Sequence, residues 1–163
     1  MLLIAGAVWL VLGRTDTPAD EPDLAENPVP SQITPTCGPV TAVDRTGRPL
    51  EVETLGLVRV VHEAACHHDY ETLADLMDHP FGTRTADEAI AELRANDGAS
   101  LTILTQTLEA AAIAGQGGLI YCHPHGAIAI FARGTSEHQW KFTDFSLTAD
   151  SPAASTCFES GVR

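Results

Sequence analysis

The sequence predicts an α+β domain: about four helices followed by a three-stranded antiparallel meander, stapled by disulfides, behind an N-terminal apolar segment and an acidic stalk. Three observations predict it. Apolar residues recur at helical spacing from Glu53 to about Ala114. Short β-branched and aromatic runs, broken by turn residues, then take over. Four cysteines, Cys37, Cys66, Cys122 and Cys157, lie far apart and form no C-x-x-C pair.

The chain starts with MLLIAGAVWLVLG, residues 1–13, which is uncharged and almost wholly apolar. As a helix it would cover about 20 Å, short of the roughly 20 residues of a full span. It suits a membrane anchor lacking some residues or an atypical export signal, and Trp9 suits a membrane interface. The membrane is therefore one expected partner. Residues 14–36 hold Asp16, Asp20, Glu21, Asp23 and Glu26 among several prolines, a composition that cannot bury apolar area. This stretch reads as an acidic linker. Residues 37–163 read as a single domain outside the cytoplasm, on the cell membrane or secreted.

Within that domain, DRTG at Asp44–Gly47 predicts a turn. Glu53–His68 predicts a helix, with Leu57, Val60, Val61, Ala64 and His68 facing inward. Arg59, His62, Glu63 and Cys66 fall on the opposite face, where a terminal segment can cross and be bridged to Cys66. Asp69 is placed to cap a short helix with Leu73, Leu76 and Met77 inward, stopped by Pro80 and Gly82. Thr85 with Glu88 is a capping-box pattern opening a third helix, which ends at Asp97-Gly98. Leu101, Leu104, Leu108 and Ala111 or Ala112 give a fourth helix within residues 100–115, although its threonines pull toward strand.

GLIYCH, AIAIFA and QWKFTDFSL predict the three strands. His123-Pro124-His125-Gly126 fits a type I turn between the first two, and Gly134–His138 makes the second connection. Trp140, Phe142 and Phe145 are expected between sheet and helices. The tail SPAASTCFESGVR shows no periodicity, and Cys157 is its expected tether.

The order of helices before a curled sheet, with Ala129-Ile130-Phe131, Trp140-Lys141-Phe142 and Phe145 in the strands, resembles the nuclear-transport-factor-like (cone-shaped α+β, SnoaL-like) superfamily. Asp69-Tyr70, Leu73 and Leu76 are similar to the start of its second helix. The resemblance covers residues 51–147, and the helix read at Ser100–Ala114 departs from that family's order. It implies a fold that hosts enzymes, transport factors and accessory binding domains, and it transfers no active-site residue.

Chemistry follows from composition and spacing. The formal charge is −13 with only nine Lys and Arg, so no nucleic-acid partner is expected. An even set of dispersed cysteines behind an export-like segment reads as disulfides. Cys37–Cys66 with Cys122–Cys157 is favoured, because each bridge ties a terminal segment to the core. The nested alternative is Cys37–Cys157 with Cys66–Cys122. Seven histidines raise a metal reading, for which His62, His123 and His125 are the candidates, but H-x-H across a turn matches no specific metal motif. Cys122 is not activated by His123, since consecutive strand residues face opposite ways. G-x-S-x-G, H-E-x-x-H, P-loop and dinucleotide fingerprints are not found in the sequence. Asp75, Asp78 and Glu88 suit solvated helix positions or caps. The reading is a binding or structural domain of the cell envelope, with no catalytic residue and no cofactor assigned. A metal-binding protein and an enzyme of the cone-shaped fold are the alternatives.

Overall fold

A computed structural model describes residues 36–96, 98–115, 117–134, 139–148 and 154–159. The expected anchor, almost all of the acidic linker, and the connection at 135–138 lie outside the described residues. Among the described residues, no helix is long and apolar enough to cross a membrane.

Four helices come first: α1 (Val52–Cys66), α2 (Tyr70–Leu76), α3 (Ala86–Ala95) and α4 (Ala99–Glu109). Local chemistry sets their starts. The Asp69 carboxylate accepts from Thr72 N at 3.0 Å and so caps α2. Thr85 and Glu88 form the reciprocal capping box of α3. Gly98, at φ +80°, takes the left-handed turn that opens α4, and an added Cβ there would strike the His68 ring.

A four-stranded antiparallel meander follows in the order β1 (Ile113–Ala114), β2 (Gly118–Cys122), β3 (Ile128–Arg133) and β4 (Trp140–Ser146). The sequence predicts three strands. The added one is β1, within residues assigned to the fourth helix. That helix stops at Glu109 because Ile113 and Ala114 pair with Ile120 and Leu119. The β-branched Ile113 and the glycines after it favour that pairing over another helical turn. A short α5 (Ala154–Glu159) ends the described chain, where no periodicity predicted an element.

The β2–β3 turn is as expected. Gly126 N donates to the His123 carbonyl at 3.0 Å, and Gly126 sits at φ +95°. Between β3 and β4 the register slips at Ile130/Phe131. The slip has a packing consequence. Phe142 and Phe145, three residues apart, can both face the helices only if the strand carries a bulge. Thr143 marks that bulge, and its hydroxyl donates to the Ile130 carbonyl at 3.1 Å.

Leu119, Tyr121, Ala129, Phe131, Phe142 and Phe145 form the inner face and pack on Val58, Val61, Leu73, Met77, Phe81, Leu101, Leu104 and Leu108. Phe142 is stacked on Phe131 and meets the edge of Phe81. Both sheet edges are met in part by other segments. Asp78 N donates to Phe142 O and Gly82 N to Thr143 O along β4, while Arg45 N donates to Ala112 O just before β1. Unpaired strand edges invite pairing with other chains, and these contacts reduce that liability.

The inward face of α1 differs from the expected one. Thr54, Val58, Val61, His62, Ala64 and Ala65 are buried, whereas Val60 is 45% exposed. The segment is apolar on most sides, so periodicity alone chose poorly between Val58 and Val60. His62, assigned to the outer face, is 4% exposed because it has a partner on α4, described below. His68, assigned inward, lies past the helix end at φ +57° and is exposed.

Two disulfides staple the domain: Cys37–Cys66 and Cys122–Cys157. The first holds the entering chain on the C-terminal end of α1, as the position of Cys66 predicts. The second holds α5 on the outer face of the sheet, where Cys122, Ile128 and Cys157 form a small second core flanked by Ile113, Ile120 and Ile130.

Candidate functional site

Polar side chains gather in three places, and the sequence-derived candidates occupy two of them. His62 Nε2 lies 3.3 Å from Glu109 Oε1. Above it passes the chain from Cys37, whose Gly38 packs so closely on the Glu109 carboxylate that a Cβ would collide with it. Thr41 donates its hydroxyl to the Glu109 carbonyl at 2.7 Å, and His67 Nε2 lies 3.7 Å from Cys37 Sγ. This cluster joins the entering segment, α1 and α4. His123 and His125 sit at the β2–β3 turn with ring centres 5.2 Å apart, and His125 N donates to His123 Nδ1. Partial burial, and secondarily the neighbouring His125, hold the His123 imidazole below its ordinary value. Among the described residues, no three His, Cys, Asp or Glu side chains converge as a metal would require. The structure thus places His62 in one cluster and His123 with His125 in another.

The third place was not singled out by sequence reasoning. It is a cavity of about 530 Å³ where α1 begins, walled by Arg48, Glu51, Thr54, Ala114, Leu119 and Trp140 among others. Its rim is built by the turn at Asp44. That carboxylate is only 4% exposed and accepts from Thr46 N, the Thr46 hydroxyl, Arg48 N and Arg48 Nε. An aspartate sits there because a short acceptor can satisfy several N–H groups of its own turn. Gly47, at φ +81°, completes the turn.

The hydrogen bonds hold the Asp44 carboxyl down to about 2 from 3.8, with the Thr46 hydroxyl the largest cause. A depressed carboxylate stabilises the fold fully above its unfolded value, and that contribution is lost as pH falls through the folded value. Acid unfolding of the wild type should therefore show a limb between about pH 3.8 and 2. Asp44→Asn should flatten that limb in a pH titration followed by circular dichroism.

Glu51 stands at the N-cap of α1 but makes no side-chain cap. Its carboxylate instead accepts from the Arg133 guanidinium at 2.6 Å and from the Trp140 indole N–H at 3.3 Å, contacts that lower its pKa. The Arg133 guanidinium also lies 5.4 Å from the Trp140 ring centre. One glutamate thus ties the start of α1 to the far ends of β3 and β4 and fixes the indole. The wall opposite comes from β1 and β2. Gly118 is required there, because a Cβ would run into the Phe131 carbonyl across the β2–β3 pair.

Thr54 lies next to this wall. It is 1% exposed, and its hydroxyl has no hydrogen-bond partner among the described residues. A buried unpaired hydroxyl costs free energy. Thr54→Val keeps the shape and removes that cost. We expect it to raise stability by about 1 kcal/mol in urea unfolding. A decrease in the midpoint would mean that the hydroxyl is satisfied in solution.

Comparison of the chain with family models, curated proteins and solved structures gives no match.

Proposed function

We propose that the chain is a small extracytoplasmic domain, membrane-anchored or secreted, with a binding role in the cell envelope, and that its ligand seat is the cavity at the start of α1. The observation that carries the binding role is a Trp140 ring held in place by Glu51 in a cavity that Arg48 and Glu51 also line. Binding sites combine apolar walls with a few fixed polar groups in this way. Location outside the cytoplasm is supported by the two disulfides, which persist in oxidising compartments. Neither bridge leaves a thiolate for nucleophilic chemistry. The binding role is also one of those spanned by the superfamily that the helix-then-meander order resembles.

Two measurements test the reading. Alkylation of the exported protein without reductant, followed by mass spectrometry, should label none of the four cysteines; labelled thiols would overturn the location. A ligand screen read on the Trp140 indole N–H resonance should find compounds that shift it saturably. An indole that never responds, while other amides do, would move the binding seat elsewhere.

A further inference from the structure

We infer that this cavity takes a neutral, polyhydroxylated ring, the chemistry of a saccharide, laid against Trp140. The inference rests on the binding reading above and adds the ligand class.

Charge decides first. The cavity has two carboxylates, and each is already neutralised by a guanidinium: Asp44 by Arg48 at 3.0 Å and Glu51 by Arg133 at 2.6 Å. Of the two guanidinium groups only that of Arg48 lines the cavity, and it is already paired, as are both carboxylates. A charged ligand therefore finds no unpaired counter-charge here, and a neutral ligand needs none.

The remaining hydrogen-bonding capacity decides next. Asp44 is saturated by its own turn. Both recorded bonds to Glu51 end on Oε2, which leaves Oε1 as an acceptor. Arg48 spends Nε and Nη2 on Asp44 and Thr46, which leaves Nη1 as a donor. The Thr54 hydroxyl is sealed behind the wall and is not offered to a ligand. The cavity therefore offers one acceptor and one donor. Ligand hydroxyls, each donor and acceptor at once, answer both with a single functional group.

Shape decides last. A pyranose presents a flat face of C–H bonds, and an indole is a suitable surface for it. Trp140 is held by its N–H on Glu51 and by the guanidinium of Arg133, so little ring freedom is lost on binding. Leu119 and Ala114 extend the apolar wall. The volume, about 530 Å³, suits one or two sugar rings on the scale of small-ligand sites.

The test uses the full chain and follows the Trp140 indole N–H, assigned with Trp140→Phe. The probes are N-acetylglucosamine, maltose and cellobiose, with acetate and tetramethylammonium as charged counterparts. At least one saccharide should shift the resonance saturably. Glu51→Gln should weaken that binding about tenfold, the scale of one hydrogen bond to a charged group. Saccharide binding that ignores Glu51→Gln overturns the inference. So does a saturable response to acetate or tetramethylammonium without one to a saccharide, although the binding reading then stands. Silence toward all five probes overturns the ligand class; the binding reading falls with it only if a broad small-molecule screen also leaves the indole unmoved.

Discussion

Phe142→Ala should destabilise the domain by about 3–5 kcal/mol, the scale for truncating a fully buried aromatic residue. Phe142 is wholly buried between two other rings, 5.1 Å from Phe131 and 4.9 Å from Phe81. Phe131 belongs to the sheet and Phe81 to the segment after α2, so one side chain joins two layers. The backbone of Phe142 adds to this, since its carbonyl accepts from Asp78 N at 2.8 Å and holds the strap that covers the edge of β4. The cavity left by alanine cannot collapse easily, because the bulge at Thr143 fixes the strand on both sides. The measurement is a urea unfolding curve. The midpoint should fall with little change in slope. A loss below about 1 kcal/mol would mean that the three-ring stack does not hold the layers together.

The parts of this fold that were legible in the sequence are those where neighbours in sequence act on each other. Thr85 and Glu88 announced a helix start because the partners of a capping box stand only three residues apart. His123 to Gly126 announced a turn because proline and glycine fix local dihedrals. The favoured cysteine pairing followed from chain logic, since a bridge from each end to the core restrains both termini. The fourth strand was illegible for a physical reason. Ala111 or Ala112 continues the helical spacing of Leu101, Leu104 and Leu108 past the true helix end, and only the pairing of Ile113 with Ile120 makes the next residues a strand. His62 was assigned outward because it lies opposite the stripe of Leu57, Val60, Val61 and Ala64 on the helix. Its partner Glu109 lies 47 residues away.

The candidate cavity was less legible still. Glu51 meets Arg133 across 82 residues and Trp140 across 89. No local pattern marks those contacts. The one available signal was a tryptophan at the start of a strand otherwise filled by inward phenylalanines. Its indole N–H needs an acceptor, and an aspartate or glutamate at a helix start is a reasonable one. The carboxylate that would otherwise cap α1 is thereby used to fix an aromatic ring. That exchange of a local contact for a long-range one is the feature on which the proposed ligand seat rests.

Reduction of both disulfides should remove a large share of the stability of the whole domain. The bridges close loops with sequence separations of 29 and 35 residues. Loop-closure entropy gives about 3.5–4 kcal/mol for each, nearly equal because the dependence on length is logarithmic. The structure limits these values differently. Without Cys37–Cys66, the entering chain keeps the Thr41 bond to Glu109, the Leu50 bond to Ala42 and the Arg45 bond to Ala112, so only its first few described residues are freed. Without Cys122–Cys157, six-residue α5 loses its covalent tie to β2 and has too few turns to hold its own shape. The small core flanked by Ile113, Ile120 and Ile130 loosens with it. Cys122→Ala with Cys157→Ala should therefore accelerate amide exchange in α5 and on the outer rows of β2 and β3, and leave α1 protected. Cys37→Ala with Cys66→Ala should act on the end of α1 and leave α5 in place. The bridges lie on opposite faces of the sheet and share no residue, so their costs should add. Their sum, at most about 7–8 kcal/mol, approaches the whole stability of an ordinary domain. Urea unfolding with and without reductant measures it. An unchanged midpoint would show that the helix–sheet core holds alone.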